Sequence, residues 1–266
     1  MMGKIWLPND DGLIVPYRDI QVPRRGRYCS LTQHALEGGS GSAESDPYFS
    51  NVVLLMHMDV STTKDSSSHD WAFTQTGSPS ITTDSAWFGE KAMAFAAGAT
   101  ANYVSYSGSS FLSSSTGTFT LECWVRITSI TNPNTGGYAD GRYEFIRCTS
   151  GGTKTFAIMA MTSSNLAFSL GGATLFSAIS ADRNHIAFIR TDGSPGAFDV
   201  YVNGTRLIHN TSAPSFNFDT IYIGNRAVAS GVFSVGGLIE EIRITDGIAR
   251  YTGSSFTPPS SSFPNV

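Results

Sequence analysis

Apolar side chains recur at every second position between Thr118 and Ile127, where Phe119, Leu121, Cys123, Val125 and Ile127 alternate with threonine, glutamate, tryptophan and arginine. Successive side chains of a β-strand point to opposite faces of the sheet, so a period of two is typical of a strand with one face in a hydrophobic core. The segment therefore predicts a long strand. It also predicts that Cys123 is a small buried hydrophobic residue.

A second alternating segment, Phe198–Val202, runs directly into Asn203-Gly204. Asn-Gly suits a two-residue type I′ turn because both central positions need a positive φ, so Thr205–Ile208 is predicted to return as the partner strand. Further strands are predicted at 52–58, 143–147, 155–161, 166–169, 184–190, 220–223 and 238–244. No segment predicts a helix longer than two turns. Many short strands without a helical layer indicate an all-β, two-sheet antiparallel sandwich.

The composition excludes several classes of protein. Charged residues are 14% and hydrophobic residues 41% of the chain, which excludes a charge-rich disordered protein. A formal net charge of −4 gives no global positive field to attract nucleic acid, and no apolar run reaches the roughly 18 residues of a membrane span. Pro8 interrupts the apolar start of the chain, so we expect no secretory signal and synthesis in a cytosol, where Cys29, Cys123 and Cys148 stay reduced.

Three regions differ in composition. Residues 1–50 contain recurring prolines and a Gly/Ser-rich linker, and they are expected to form an extended N-terminal arm. Residues 51–252 carry the strand patterns and are expected to form one domain. Residues 253–266 are a Pro/Ser-rich C-terminal tail, which Phe256 and Phe263 either pin to the domain or leave loosely ordered.

The N-terminal arm is predicted to bind a partner surface. It is too short to form its own core, and an exposed tryptophan is adhesive in water. Its arginines suit an acidic surface, and an extended segment can add to the edge of a sheet. The residues expected to make this contact are Trp6, Leu7, Tyr17, Arg18, Arg24, Arg25, Arg27 and Tyr28. The alternative is that the arm folds back onto its own domain.

A series of segments between residues 52 and 251 carries a family resemblance. The segments are Val52–Asp59, Phe88–Phe95, Asn102–Val104, Phe119–Val125, His185–Arg190, Tyr201–Gly204, Ile221–Gly224 and Gly237–Ile244. In this order they resemble the laminin-G-like, concanavalin-A-like jelly rolls, which implies two antiparallel sheets. The end of the region, Thr245–Tyr251 followed by Phe256–Pro259, is similar to the ends of laminin-G-like domains in virion proteins of tailed phages.

The same fold includes glycoside hydrolases, and a retaining enzyme needs two carboxylates roughly 5–5.5 Å apart. A Glu-x-Asp-x-Glu strand supplies such a pair, but Glu44-Ser45-Asp46 is interrupted by Pro47, and Glu122 stands alone. Glu240 and Glu241 are adjacent, so strand alternation predicts that they point to opposite faces. We therefore predict no catalytic residues and no enzyme activity.

No metal site is predicted either. None of the five histidines has a second histidine or cysteine at a zinc-binding spacing. Laminin-G relatives sometimes bind calcium at the rim of the fold, and Asp65, Asp70 and Asp84 lie in the first loops, but no compact run of aspartates supplies several oxygen ligands. Isolated turn aspartates are the favoured interpretation. We expect no cofactor, with calcium as the alternative.

Sugar binding would use aromatic rings together with hydroxyl or amide partners. Trp71, Tyr103, Tyr106 and Tyr138 lie near predicted loops and are the candidate glycan-binding residues. Aromatic residues are 12% of the chain, so ordinary packing inside the sandwich is the competing explanation.

The resemblance and the arm together imply a non-enzymatic structural protein on the outer surface of a phage virion, made in the bacterial host cytoplasm. The expected role is a capsid decoration or cement protein, or a head fibre, held by its arm to the major capsid protein or another virion protein. A homo-oligomer is expected, and a trimer is the state that the resemblance implies. The alternative is a tail or baseplate adhesin that recognises host surface glycans. A glycan-cleaving enzyme is the third hypothesis.

Overall fold

The fold is taken from a computed structural model, which describes residues 6–8, 14–16, 45–83, 87–88, 91–96, 102–131, 143–162, 165–170, 173–179, 182–193, 196–225 and 234–266. The chain divides into two compact units, Met1–Ser42 and Ala43–Val266. The second unit therefore includes the last residues of the region assigned above to the arm, and all of the C-terminal tail.

In the first unit, strand β1 (Trp6–Pro8) pairs antiparallel with strand β2 (Ile14–Pro16), with Leu7 opposite Val15. Trp6 and Leu7 of the predicted partner-binding set lie in β1. The other members of that set lie outside the described residues, and they are Tyr17, Arg18, Arg24, Arg25, Arg27 and Tyr28.

The second unit is built from strands that follow a short 3-10 helix, Phe49–Asn51. The strands are β3 (Val52–Met56), β4 (Thr74–Thr76), β5 (Ser80–Thr82), β6 (Ala92–Phe95), β7 (Asn102–Ser107), β8 (Phe119–Thr131), β9 (Tyr143–Ser150), β10 (Thr153–Thr162), β11 (Asn165–Leu170), β12 (Ala173–Ala178), β13 (Asn184–Thr191), β14 (Gly196–Val202), β15 (Thr205–Ala213), β16 (Thr220–Asn225) and β17 (Ser234–Asp246). Across the described part of the chain, no helix has the length and hydropathy that a membrane crossing requires.

These strands form two antiparallel sheets. The eight-stranded sheet has the order β15-β14-β13-β8-β17-β6-β5, and β3 pairs with the second half of β17. The seven-stranded sheet has the order β12-β11-β10-β9-β16-β7-β4. The prediction of an all-β, two-sheet antiparallel jelly-roll sandwich is confirmed.

The core lies between the two sheets, and strand alternation supplies it. Its members from the central strands include Phe119, Leu121, Cys123 and Val125 of β8, Ile146 and Cys148 of β9, Phe156 and Ile158 of β10, and Ile221 and Ile223 of β16. Burial of each of the aliphatic and phenylalanine side chains contributes about 1.5–3 kcal/mol. Burial also raises the pKa of the Cys123 thiol, which keeps it protonated as a hydrophobic residue of the core. Thr120, Glu122 and Trp124 point the other way from β8 and are buried as well, so this strand is covered on both faces.

The predicted hairpin turn is present at Asn203-Gly204. Asn203 has a φ of 51° and Gly204 a φ of 78°, as a type I′ turn requires. A Cβ at position 204 would lie 2.0 Å from the carbonyl oxygen of Phe256, so glycine also permits the later chain to approach the turn.

A β-bulge interrupts the alternation of β17. Glu241 has a φ of 57°, and the register with β8 shifts between Glu240 and Arg243. Ile239 and Ile242 both point into the core, so the two glutamates between them lie on the outer side of the sheet. The prediction that Glu240 and Glu241 point to opposite faces is wrong, because the extra residue of the bulge resets the alternation.

Candidate functional site

The outer face of the seven-stranded sheet carries a row of half-buried polar and aromatic side chains. Ile221 and Ile223 point into the core, so Tyr222 between them points outward. Tyr222 lies opposite Ser105 of β7 on one side and opposite Arg147 of β9 on the other. Strand pairing thus aligns a hydroxyl, a phenol ring and a guanidinium across the middle of the sheet.

Tyr103 adds a second aromatic ring beside this row. Val104 points into the core, so Tyr103 next to it points outward. The rings of Tyr103 and Tyr222 meet edge to face, with centroids 5.6 Å apart and planes at 76°. Gly224 lies opposite Tyr103 at a φ of 102°, and a Cβ there would come within 2.7 Å of the Asn102 carbonyl oxygen. Glycine is therefore required for the close approach of these two strands.

Three charged residues cluster beside Tyr222. Nη1 of Arg147 donates to Oε2 of Glu144 at 2.9 Å, and Nζ of Lys154 in β10 donates to Oε1 of the same carboxylate at 3.1 Å. The side chain of Arg147 is 11% exposed and that of Lys154 is 23% exposed. The cluster sets two cations against one carboxylate in partly buried surroundings, where charges interact more strongly than in water.

The structure separates the residues predicted to bind glycans. Tyr103 lies on the outer face of the seven-stranded sheet. Tyr106, three residues later, lies opposite Ile221 and packs against the core. Tyr138 lies outside the described residues.

Trp71 belongs to a different aromatic group, which lies beside the core. Its ring is 4.8 Å from that of Tyr106 and 5.8 Å from that of Phe111. Its Nε1 donates to the carbonyl oxygen of Val53 at 2.7 Å, so the indole N–H serves the fold. The structure therefore brings Trp71 and Tyr106 together, and places Tyr103 apart from them with Tyr222.

Asp65, one of the aspartates considered for calcium, is occupied by protein donors. Its Oδ1 accepts from the backbone N–H groups of Leu55 and Ser67, each at 2.9 Å, and its Oδ2 accepts from the N–H of Trp71 at 3.0 Å. These bonds organise the loop after β3. Within the described residues, no group of three or more His, Cys, Asp or Glu side chains is arranged to hold a metal ion.

Sequence reasoning did not identify Tyr222 or the charged cluster as site residues. The alternation of Ile221, Tyr222 and Ile223 was a usable signal, since it turns the tyrosine away from the core. Nothing local places Arg147 beside it, because that neighbour results from the pairing of β16 with β9.

The outer face of the eight-stranded sheet carries a buried charge network centred on Glu122. Nε of Arg243 donates to Oε1 of Glu122 at 2.9 Å, and the Tyr251 hydroxyl donates to Oε2 at 2.7 Å. Nε2 of His185 lies 3.1 Å from the same Oε2. Burial alone would raise the pKa of Glu122, but the charge of Arg243 and the hydrogen bond from His185 lower it to about 2. The carboxylate is ionised and serves as an ion-pair partner.

The carboxylate of Asp46 pairs with a second arginine of this network, Arg250. Its Oδ2 accepts from Nη1 of Arg243 at 3.0 Å and from Nη2 of Arg250 at 2.6 Å. Burial raises the pKa of Asp46, but hydrogen bonds from Arg250 and from the backbone of Tyr48 outweigh it and leave the pKa lowered. A cleft of about 350 Å³ lies over these residues, and both arginines that line it are matched by Asp46 and Glu122. The charges of these two carboxylates and two guanidinium groups cancel, so the four groups together present no net charge to a ligand in the cleft.

The C-terminal segment, Thr252–Val266, lies against this face of the sheet. Phe256 stacks on Tyr251 with centroids 3.6 Å apart, and its N–H donates to the carbonyl oxygen of Gly204 at 2.8 Å. Phe263 is 2% exposed and lies over the guanidinium of Arg243 at 4.0 Å. Aromatic residues at the end of the chain thus have packing roles in closing the domain.

His57 and Glu241 hold the last part of this segment. Nδ1 of His57 lies 2.8 Å from Oε1 of Glu241, and Oε2 of Glu241 accepts from the Phe263 N–H at 2.7 Å. Burial lowers the pKa of His57, but the hydrogen bond and charge of Glu241 raise it above its ordinary value. Burial raises the pKa of Glu241 above its ordinary value, because it disfavours the ionised carboxylate. The pair binds protons more tightly in the folded protein than in the unfolded chain.

Solved structures share this architecture. One of botulinum neurotoxin type C, whose cell entry is described as dependent upon interaction with two ganglioside molecules, has a TM-score of 0.55 at 12% identity. The binding domain of botulinum neurotoxin DC in complex with SialylT has a TM-score of 0.54 at 12% identity. Each match covers 74% of this chain and 48% of the other, so this chain spans about half the length of those proteins.

Domain 4 of AbnA, an extracellular arabinanase of Geobacillus stearothermophilus, in complex with arabinotriose, has a TM-score of 0.50 at 18% identity, covering 79% of this chain and 96% of that domain. A comparison with curated proteins finds no match. The Laminin_G_3 family model, described as the concanavalin A-like lectin/glucanases superfamily, matches residues 98–249, which is more than half of the chain. With that match and the two-sheet jelly roll, the chain belongs to the concanavalin A-like lectin/glucanase superfamily.

Proposed function

We propose that this protein is a non-enzymatic carbohydrate-binding module, and that its ligand binds on the outer face of the seven-stranded sheet. The observation that carries the proposal is the half-buried pair of Tyr103 and Tyr222, in which Tyr222 lies between Ser105 and Arg147 in one cross-strand row. Aromatic rings offer a flat apolar surface for the face of a sugar, and nearby hydroxyl and charged groups bond to its hydroxyls.

The fold comparisons support carbohydrate as the ligand class to test first. The neurotoxin and arabinanase domains that share the fold are described with gangliosides, SialylT and arabinotriose. At 12–18% identity these likenesses concern the fold, and the ligand of the present chain depends on its own side chains.

The absence of catalysis is proposed from how the carboxylates are used. Glu144 is the single acidic residue in the seven strands of the candidate sheet, and both of its oxygens accept from cations. A retaining hydrolase needs a second carboxylate at roughly 5–5.5 Å. Glu122, Glu240 and Glu241 lie buried on the other sheet, each accepting hydrogen bonds from protein donors.

The test is a glycan array followed by titration of the best ligand. Tyr103→Ala and Tyr222→Ala are each expected to weaken binding about tenfold, which corresponds to about 1.4 kcal/mol. Tyr48→Ala is the matched control, because this tyrosine is 42% exposed and lies over Arg250 on the eight-stranded side. Failure of the wild-type chain to bind any glycan, or wild-type affinity in both variants, would overturn the proposal. Turnover of a polysaccharide would overturn its non-enzymatic part.

A second candidate is a structural role on the outer surface of a tailed-phage particle, as a decoration protein, head fibre or tail adhesin. It is favoured by the ending Thr245–Tyr251, which is similar to that of phage virion proteins, and by the local positive charge that Arg18, Arg24, Arg25 and Arg27 give to the arm. In this proposal the arm contacts the major capsid protein or another virion protein, and the displayed module forms a homo-oligomer such as a trimer.

Cosedimentation with particles that lack the protein tests this second candidate. The full chain is expected to sediment with the particles, and the chain without residues 1–45 is expected to stay in solution. Cross-linking mass spectrometry on intact particles then separates head from tail, through links from Lys4 to shell or tail proteins. Equal sedimentation of both forms, or links confined to the chain's own domain, would contradict an anchoring arm.

A further inference from the structure

We propose that Asn203 is a site of spontaneous deamidation that the folded chain protects, so that conversion of its side chain to an acid reports opening of the hairpin between β14 and β15. Asn203 lies in the type I′ turn of this hairpin, at a φ of 51°. The hairpin belongs to the eight-stranded sheet, so this site is separate from the proposed ligand face.

The sequence Asn203-Gly204 supplies both reacting groups. The backbone nitrogen of Gly204 attacks Cγ of Asn203, and a new C–N bond closes a five-membered succinimide ring. Nδ2 takes up the proton that the backbone nitrogen gives up and leaves as ammonia. Water is the one co-reactant. It opens the ring by breaking the new C–N bond, which gives aspartate, or the original peptide bond, which gives isoaspartate. Glycine favours the attack because it has no side chain to hinder it.

The fold holds the Asn203 side chain at both ends. Its Oδ1 accepts from the backbone N–H of His185 at 2.9 Å, and its Nδ2 donates to Oδ1 of Asn184 at 3.0 Å. Its own backbone N–H donates to the carbonyl oxygen of His185 at 2.8 Å. The three bonds tie the turn to the start of β13. The attack makes Cγ tetrahedral and expels Nδ2, so both side-chain bonds oppose it, and we expect the reaction to wait for local opening of the turn.

The partner of Nδ2 is itself fixed. Asn184 is fully buried, and its Nδ2 donates to the carbonyl oxygen of Asp182 at 2.9 Å. That bond orients the amide so that its Oδ1 faces Asn203. An aspartate at position 203 would replace the donor with an acceptor and set two oxygens against each other, which costs free energy at a partly buried position.

Isoaspartate disturbs the turn further, because it adds one atom to the main chain of a two-residue turn. The carbonyl oxygen of Gly204 accepts from the N–H of Phe256 at 2.8 Å. A Cβ on Gly204 would lie 2.0 Å from the Phe256 carbonyl oxygen, so the turn and the C-terminal segment are in close contact. A lengthened turn moves Gly204 out of this contact. We therefore expect converted chains to refold to a less stable protein.

The experiment follows the conversion by peptide mapping of the full chain. Cleavage after Arg190 and Arg206 releases Thr191–Arg206, in which Asn203 is the one asparagine. The chain is incubated at mildly alkaline pH in buffer and in denaturing guanidinium chloride, beside a synthetic peptide of Val200–Leu207. Mass spectrometry measures the conversion of amide to acid. We expect the denatured chain to convert at about the rate of the peptide, and the folded chain to convert at least tenfold more slowly.

Two variants connect the chemistry to its consequence. Asn203→Gly retains a residue that adopts a positive φ but has no reacting amide, so after ageing in denaturant it is expected to refold with its starting denaturation midpoint, whereas the aged wild-type chain refolds with a lower one. Asn203→Asp reproduces one product directly and is expected to lower the midpoint. Asn210→Asp is the matched control, because Asn210 is exposed in β15 and its Oδ1 accepts from the Ser212 N–H at 2.7 Å, as a carboxylate also does.

Each part of the proposal has an outcome that overturns it. Conversion of the folded chain at the rate of the peptide overturns protection by the fold. A denatured chain in which Asn203 stays unconverted overturns the site. An unchanged midpoint in both the aged wild-type chain and Asn203→Asp overturns the structural consequence. An equal loss on ageing in Asn203→Gly assigns the damage to other residues and overturns the role of Asn203.

Discussion

The two outer faces of the sandwich use charge in opposite ways. On the eight-stranded side, Glu122 and Asp46 are matched by Arg243 and Arg250, and the chain's own C-terminal segment packs over them. On the seven-stranded side, Glu144 stands against two cations beside a half-buried tyrosine pair. Buried charge by itself therefore does not mark a binding site in this fold. Within the described residues, the distinguishing feature of the eight-stranded side is the C-terminal segment, which packs over its charges.

The largest expected effect on this contrast comes from Glu122→Gln. Removing the central carboxylate leaves buried Arg243 with Asp46 as its one remaining carboxylate and His185 without its ionised partner, so the free energy of unfolding is expected to fall by about 3–5 kcal/mol. Urea denaturation measures it. Glu144→Gln is the matched variant on the other face, and we expect it to lower the free energy of unfolding by less than Glu122→Gln does. A loss below about 1 kcal/mol for Glu122→Gln would show that the network does not hold the fold.

Phe263→Ala sharpens the contrast between aromatic residues that cover a face and those that are proposed to bind a ligand. Phe263 is 2% exposed, and its loss leaves a cavity over Arg243, so the free energy of unfolding is expected to fall by about 3 kcal/mol with glycan affinity unchanged. Tyr222→Ala is expected to show the opposite pattern, a smaller loss of stability with a tenfold loss of affinity. Similar stability losses for the two variants would remove this distinction between the faces.

The acid dependence of stability is the third prediction. The pKa of Glu122 is lowered from 4.5 to about 2, so its contribution is present above pH 4.5 and is lost as the pH falls through about 2. The shift corresponds to about 3 kcal/mol. Denaturation curves between pH 6 and pH 2 measure this decline. Glu122→Gln is expected to flatten it, and an equally steep decline in that variant would assign it to other carboxyl groups.

His57 gives the smallest expected effect, on the alkaline side. Its pKa is raised above 6.5 by Glu241, so its contribution is fully present below pH 6.5 and is lost as the pH rises through the folded-state pKa. The pKa of Glu241 is also raised, and it acts in the same direction. Stability measured from pH 6 to pH 9 is expected to decline in the wild-type chain and to decline less in His57→Gln. Parallel curves for the two proteins would contradict this role.

Much of the fold followed from local patterns. The alternation at Phe119–Ile127 predicted the central strand β8, and Asn203-Gly204 predicted the hairpin between β14 and β15. Both signals depend on neighbours in sequence, namely side-chain periodicity and the φ values of a turn. The bulge at Glu241 escaped prediction, because a single extra residue in a strand leaves no compositional trace.

Less of the candidate site could be predicted, because its residues come together through non-local pairing. Tyr103 was identified as an aromatic candidate, but Tyr222 lies beside it, and Arg147 beside Tyr222, because β16 pairs with β7 on one side and with β9 on the other. That strand order joins segments more than 70 residues apart in the chain, and their register depends on the packing of the whole sheet. The packing of Trp71 and Tyr106 against the core could not be predicted from the sequence either, because it also depends on non-local contacts.

The bond between the backbone N–H of Asp46 and the carbonyl oxygen of Val266, at 2.6 Å, has a mechanical consequence. Asp46 precedes β3, and its carboxylate forms ion pairs with Arg243 of β17 and with Arg250 after β17. Tension applied through the preceding chain meets these ion pairs before it reaches the first strand of the eight-stranded sheet. We expect these bonds to share the force with β17 and the C-terminal segment before β3 is loaded.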